Sequence, residues 1–210
     1  MKRRTLDLLF SIGGLGLAVL LLVVGVVLTT NANFANDYVR SQLGEQNITF
    51  TPADKLSDEE KKSDCLREYA GQKMTTGKQA ECYANEYIGL HLKNMAGGKT
   101  YADLGEPQSA LREQVAQAEQ SNAANLADLQ KQLAEVTAQR ETVFKGETLR
   151  GLLLTSYGFS EFGRKAEQGA LAVYLGAGLL LLLSAAGLVH AFRTPPTATF
   201  AAPEKEKVTN

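Results

Sequence analysis

Residue types that carry chemistry are scarce in this chain, and the two thiols come first. Cys65 and Cys82 are the only cysteines in 210 residues. They do not form the Cys-x-x-Cys spacing of a redox or zinc motif. Each falls on one of two predicted helices joined by a loop between Gly71 and Gly77, so a helical hairpin would bring them together. In an exported segment, where oxidation persists, this predicts a disulfide. The alternative is a pair of buried free thiols. His91 and His190 are the only histidines. One is predicted outside the membrane and the other at its opposite face, so they cannot share a metal. His91 reads as a packing or capping residue, and His190 as a favourable charge in a terminal helical turn. No His-x-x-x-His, carboxylate-x-x-His, Gly-x-Ser-x-Gly or phosphate-cradling glycine loop occurs. Asp58-Glu59-Glu60 reads as a charged helix start, and Gly13-Gly14-Leu15-Gly16 lies inside an apolar block, where glycine serves packing. The expectation is a protein with no catalytic, metal or cofactor site, and therefore no enzyme.

The elements around these residues divide unevenly. Charged residues make up 21% and hydrophobic ones 44%, but the average hides two uncharged apolar blocks, Leu8–Leu28 and Ala170–Phe192. As helices they reach roughly 32 and 35 Å, enough to cross a bilayer. Lys2, Arg3 and Arg4 precede the first block, which is longer than a cleavable signal's apolar region and is followed by a poor cleavage match, Thr30-Asn31-Ala32. An uncleaved anchor is preferred over a signal peptide. The same three cations predict a cytoplasmic N-terminus, and Arg193, Lys205 and Lys207 agree for the C-terminus. Arg164 and Lys165 argue mildly the other way. The expected layout is residues 1–7 cytoplasmic, 8–28 spanning, 29–169 extracytoplasmic, 170–192 spanning, and 193–210 a cytoplasmic disordered tail in the plasma membrane. Between the spans stand 16 basic and 20 acidic residues, and the whole chain carries −1. That balance gives nucleic acid no electrostatic basis for binding.

The exported segment reads as mainly α. Asn33 to Gln46 continues the first span, with Phe34, Tyr38 and Leu43 on one side. Ile48-Thr49-Phe50 is a brief extended piece before Pro52. Ser57 and Glu60 have capping-box spacing and open a helix to about Ala70. A second helix runs from about Lys78 to Met95, with Ala80, Tyr83, Tyr87 and Leu90 on one face, and Gly97-Gly98 stops it. A long coiled-coil-like helix is predicted over about 108–143. Its seam alternates by four and three, except for one extra residue between Asn122 and Leu126. Ala, Asn and Arg in the seam weaken it, leaving open whether the helix packs on its own domain or on another chain. Leu126, Leu129 and Leu133 are the candidate partner contacts. Phe144 to Gly151 and then Leu152 to Phe159 form a short apolar stretch whose aromatics, Tyr157, Phe159 and Phe162, suit a membrane surface; it either lies there or forms a core helix. In the spans, Gly14 with Ala18 and Ala172 with Gly176 have the small-xxx-small spacing of close helix packing.

Several stretches carry a resemblance. Asn33-Phe34-Ala35-Asn36-Asp37-Tyr38-Val39-Arg40-Ser41-Gln42-Leu43, Glu45-Gln46-Asn47-Ile48-Thr49-Phe50, Tyr69-Ala70-Gly71-Gln72, Tyr87-Ile88-Gly89-Leu90-His91-Leu92-Lys93, Gly98-Lys99-Thr100-Tyr101 and Gly146-Glu147-Thr148-Leu149-Arg150-Gly151-Leu152-Leu153-Leu154 resemble a family of actinobacterial two-span membrane proteins. Members often carry the label of an aromatic ring-opening dioxygenase subunit. The resemblance covers most of the chain except the long helix and tail. It implies membrane location and architecture, no assigned activity, and no catalytic residue.

Together these readings predict a non-catalytic two-pass protein, an envelope scaffold or accessory subunit of a larger membrane complex. Its partners would be the lipid bilayer and other membrane proteins or further copies of itself. A sensor or ligand-binding protein is the second reading; its cytoplasmic side offers few residues to signal through.

Overall fold

The computed structural model describes residues 2–199, all of the chain but Met1 and the last eleven residues. The fold is mainly helical. α1 spans Arg3–Glu45, and 3-10 turns follow at Ala53–Lys55 and Glu60–Lys62. Then come α2 (Asp64–Glu68), α3 (Gly77–Cys82), a π-helical stretch (Tyr83–Ile88), α4 (Gly89–Ala96), α5 (Gly105–Ser121) and α6 (Leu126–Arg193). Among the described residues there is no strand, only isolated bridges of Lys2 with Thr199 and Thr49 with Lys73. Contacts divide the chain into two units. One holds the residues up to Phe34 and those from Phe162 onward, the other Ala35–Glu161. The predicted spans lie inside α1 and α6 and are two helices long and apolar enough to cross a membrane.

Two local expectations are corrected. The predicted helix over 108–143 is two helices. Asn122 takes a left-handed conformation (φ 50°) that ends α5, and the Ala123 N–H closes on Ala118 O at 2.9 Å. Asn tolerates that conformation better than most residues. The extra residue in the seam therefore marks a turn, and the second half of the predicted helix is the start of α6. The helix opened by Ser57 is a 3-10 turn followed by the five-residue α2. The capping box does form: the Ser57 N–H donates to Glu60 Oε2 (2.7 Å) and the Glu60 N–H to Ser57 Oγ (3.2 Å). Of the predicted tail, Thr194–Thr199 lies among the described residues, with the Arg3 N–H donating to Ala198 O at 3.1 Å. The remainder of that tail, from Phe200 on, lies outside the described residues.

The core of the second unit gathers Val39 and Leu43 of α1, Phe50, Leu66, Met74, the buried face of α3 to α4, and Leu153 of α6. That face is Ala80, Ala84, Ile88 and Leu92, every fourth residue, and the row continues in Ala96, which is buried in a second cluster with Leu104 and Val143. In an uninterrupted α-helix each step of four residues would drift about 40° round the axis. The i→i+5 bonds of the π stretch take up part of the drift and keep the row on one face. Of the predicted face, Ala80 is buried and Tyr83, Tyr87 and Leu90 are half-buried. On α1 the buried row is Ala35, Val39 and Leu43, while Tyr38 is half-exposed. Gly97 (φ 58°) and Gly98 (φ 78°) end α4 where expected, the Gly98 N–H reaching back to Lys93 O at 2.9 Å.

Candidate functional site

In the first unit α1 and the C-terminal part of α6 pack antiparallel in a constant register. Ideal Cβ atoms built at Gly14 and Gly187 would lie 2.5 Å from Ser184 Oγ and 2.3 Å from Ser11 Oγ, and one at Gly25 2.5 Å from Tyr174 Cε1. The close approach is made by small residues repeating every seven: Ser11, Ala18, Gly25 and Ala32 on α1 against Gly163, Ala170, Ala177, Ser184 and Ala191 on α6, all buried. Sevenfold repetition keeps a seam facing its partner helix, and small side chains let the backbones approach. Of the residues singled out from the sequence, Gly14 and Ala18 lie in this seam, and a Cβ at Gly176 would touch Leu21 at 3.7 Å. Ala172 is exposed on the outer face and takes no part. A spacing of four shows only part of this seam; its signal in the sequence is the period of seven.

Polar groups brace both ends of this seam. The Tyr174 hydroxyl lies 3.2 Å from Thr29 Oγ1, whose own proton goes to Gly25 O at 2.9 Å, so the tyrosine is the donor between them. At the other end His190 Nδ1 meets Asp7 Oδ2 at 2.9 Å. The start of α1 and the end of α6 therefore lie at the same end of this unit. Substituting Gly25→Leu drives a side chain into the Tyr174 ring, and overpacking of this kind costs about 1–3 kcal/mol. The variant should unfold from mild-detergent micelles at a lower dodecyl sulfate concentration than the parent. An unchanged midpoint would remove the seam from the account.

In the second unit Cys65 and Cys82 are joined, with Cα atoms 6.0 Å apart, so the staple sits between α2 and the end of α3. Beside it the rings of Phe50, Tyr83, Tyr87 and His91 form a row, with centroids 5.3, 4.6 and 4.5 Å apart in turn. Burial, with the Tyr87 and Glu60 charges adding to it, pushes the Tyr83 hydroxyl up to about 12, so it stays neutral and packs.

His91 Nε2 lies 3.1 Å from the Glu60 carboxylate, which is only 5% exposed. Burial by itself opposes ionisation of Glu60, but the Ser57 N–H, the His91 ring and the Ser57 hydroxyl outweigh it and hold its pKa below the ordinary 4.5. A lowered folded-state value means stability that is present above the unfolded-state value and is lost as pH falls through the folded one. Glu60→Gln should cost about 1–2 kcal/mol near neutrality, in the range of a hydrogen-bonded buried charge. The gap to wild type should narrow as pH falls below the ordinary 4.5 and through the lower folded-state value. Thermal unfolding of both chains from pH 3 to 8 checks this; a gap constant across that range would refute it.

The α5–α6 hairpin is fixed by one polar cluster. Gln108 is buried. Its Nε2 donates to Thr137 Oγ1 (2.9 Å) and its Oε1 accepts from Arg140 Nη1 (2.6 Å), while the Arg140 guanidinium lies 4.1 Å over the Tyr101 ring. Leu126, Leu129 and Leu133 are half-buried on α6, at the same three-and-four spacing as Val136 and Arg140. At the far end of that spacing Arg140 bonds Gln108 of α5 in the same chain. Among the described residues no group of three or more His, Cys, Asp or Glu is placed to hold a metal.

The chain matches no protein-family profile, no curated protein and no solved structure.

Proposed function

We propose that this is a two-pass plasma-membrane protein with both termini in the cytoplasm and residues 29–169 outside. In this reading it acts without catalysis, as an envelope scaffold or an accessory subunit of a larger membrane complex. The observation that carries the reading is the surface of the first unit. Phe10 is 77% exposed, Leu182 71% and Phe192 72%, and only 11% of each apolar window is buried. The core helix of a water-soluble protein buries such residues. Here the small residues face inward and the large apolar ones outward, the pattern expected of helices whose solvent is lipid. The Cys65–Cys82 bridge suits an oxidising compartment. Lys2, Arg3 and Arg4 favour the cytoplasm for the end of the helix pair that holds both termini. The resemblance to actinobacterial two-span proteins supports the same architecture.

A reporter active only outside the cytoplasm, fused after Ser121, should be active, and one fused after Asn210 inactive; the reverse would overturn the orientation. The accessory role has a separate test. Gentle solubilisation of tagged full-length chain should recover a stoichiometric membrane-protein partner or a second copy. Recovery of monomer alone would defeat that role while leaving the topology standing.

A further inference from the structure

The second unit holds a recess of about 430 Å³ that neither the disulfide nor the core requires. One wall is the 3-10 turn and its exit, with Lys62 and Ser63; the other is the π stretch and α4, with Asn85 and Lys93; Arg150 of α6 closes it. The two main walls are tied together at both ends. Cys65–Cys82 joins them at one, and Glu60 to His91 (3.1 Å) with Glu59 to Asn94 (2.9 Å) join them at the other. A recess cross-linked in this way loses little freedom when a ligand enters.

Its donors are in surplus. Lys61, Lys78 and Lys145 each pair with a carboxylate three or four residues away. Lys62 and Lys93 have no ion pair among the described residues, and both are exposed. Arg150 is held in place by Asn85 Oδ1 on Nη2 (3.2 Å) and by Glu147 on Nη1 (3.3 Å), which leaves some of its five N–H donors unused. Its Nε is buried with no acceptor. Of the three cations only Arg150 is ion-paired, with Glu147; of the two carboxylates in the lining, Glu59 and Glu86, the first already accepts from Asn94.

We infer that this recess binds a small oxyanion, a phosphoryl or carboxylate group, with Lys62, Lys93 and the Arg150 guanidinium as its donors. Arg150 supplies the fixed planar fork and the two lysines supply mobile charge. The π stretch gains a use beyond keeping the core row in register, because it also places Asn85 where it orients Arg150. The group can arrive as a free small anion or on a lipid headgroup, and the chemistry of the site is the same.

The test uses full-length chain in neutral detergent, followed by thermal unfolding at fixed ionic strength. Inorganic phosphate at about 20 mM should raise the midpoint by about 2–5 °C over chloride, as a ligand that prefers the folded state does. Lys62→Gln with Lys93→Gln should abolish the rise, and because both side chains are exposed and unpaired the variant should match the parent's midpoint in chloride. A second arm compares nanodiscs of phosphatidylcholine alone with discs containing phosphatidylglycerol. A rise only there, lost in the same double variant, assigns the oxyanion to a lipid headgroup. No rise in either arm, or a rise of equal size in the double variant, overturns the inference.

Discussion

Replacing both cysteines, Cys65→Ala with Cys82→Ala, should lower the stability of the Ala35–Glu161 unit by about 3 kcal/mol, the chain-entropy value for closing a loop of this length. The two residues are 17 apart in sequence, and the staple holds a five-residue helix, α2, whose one fully buried side chain is Leu66. Helices this short do not persist alone in water. Leu66 (1% exposed) and Cys82 (5%) would lose their fixed place in the core together. The chain has no tryptophan, and six of its seven tyrosines lie in this unit. Near-ultraviolet tyrosine dichroism therefore reports its unfolding separately from the apolar helices. The expected result is an earlier tyrosine transition in the variant, and in the parent under strong reductant, with helical signal from the spans retained to higher temperature. Coincident curves with and without reductant would show that the bridge carries no stability.

The second large effect is expected at Gly77, the first residue of α3. An added Cβ there would lie 2.4 Å from Ser160 Cβ, 2.7 Å from Ser160 Oγ and 3.2 Å from Tyr157 Cα. The last of these is backbone, which cannot rotate away as a side chain can. Thr76 caps the same turn through Gln79 N–H, so α3 cannot shift without giving up its cap. Gly77→Ala should cost about 1–3 kcal/mol and Gly77→Val more. Ser160→Gly should restore part of the loss, because it removes the atom struck first, and the double-mutant cycle would show coupling well above that of independent sites. Gly158, on the same helix with nothing within 4 Å of an added Cβ, is the control. Gly158→Ala should be neutral or slightly stabilising through helix propensity. Equal behaviour of Gly77→Ala and Gly158→Ala would refute the close approach.

Features set by local chemistry were readable in advance. The apolar blocks within α1 and α6, the left-handed glycines closing α4, and the reciprocal Ser57 and Glu60 bonds all depend on residues within a few positions of one another. The pairing of Cys65 with Cys82 was readable because there was no other thiol to choose. What escaped depends on partners distant in sequence. Asn122 looks like one more polar seam position until α5 is seen folding back on α6, when its left-handed backbone becomes the turn. Nothing local shows that Ala80, Ala84, Ile88, Leu92 and Ala96 form one face, since a spacing of four fits an α-helix poorly and needs the π stretch to hold it. The small-residue seam was half-seen at Gly14 and Ala18. Its sevenfold continuation through Gly25 and Ala32 has meaning only against Ala170, Ala177 and Ser184. The recess was not legible at all, because Lys62, Lys93 and Arg150 are unremarkable surface cations until the disulfide, the capping turn and α6 bring them together.

The seam also fixes an order of events during synthesis. Asp7 and His190, which close one end of it, are 183 residues apart. At about 5–20 residues per second, the ribosome needs on the order of ten seconds or more after making the first helix before the second exists. For that interval Ser11, Gly25 and their neighbours have no helix of their own chain to meet. The nascent protein then carries α1 with an uncovered groove of small residues. The disulfide-stapled unit, complete in sequence at Glu161, can fold before the groove is filled. A chain arrested between Glu161 and Ala170 would keep that groove open for good.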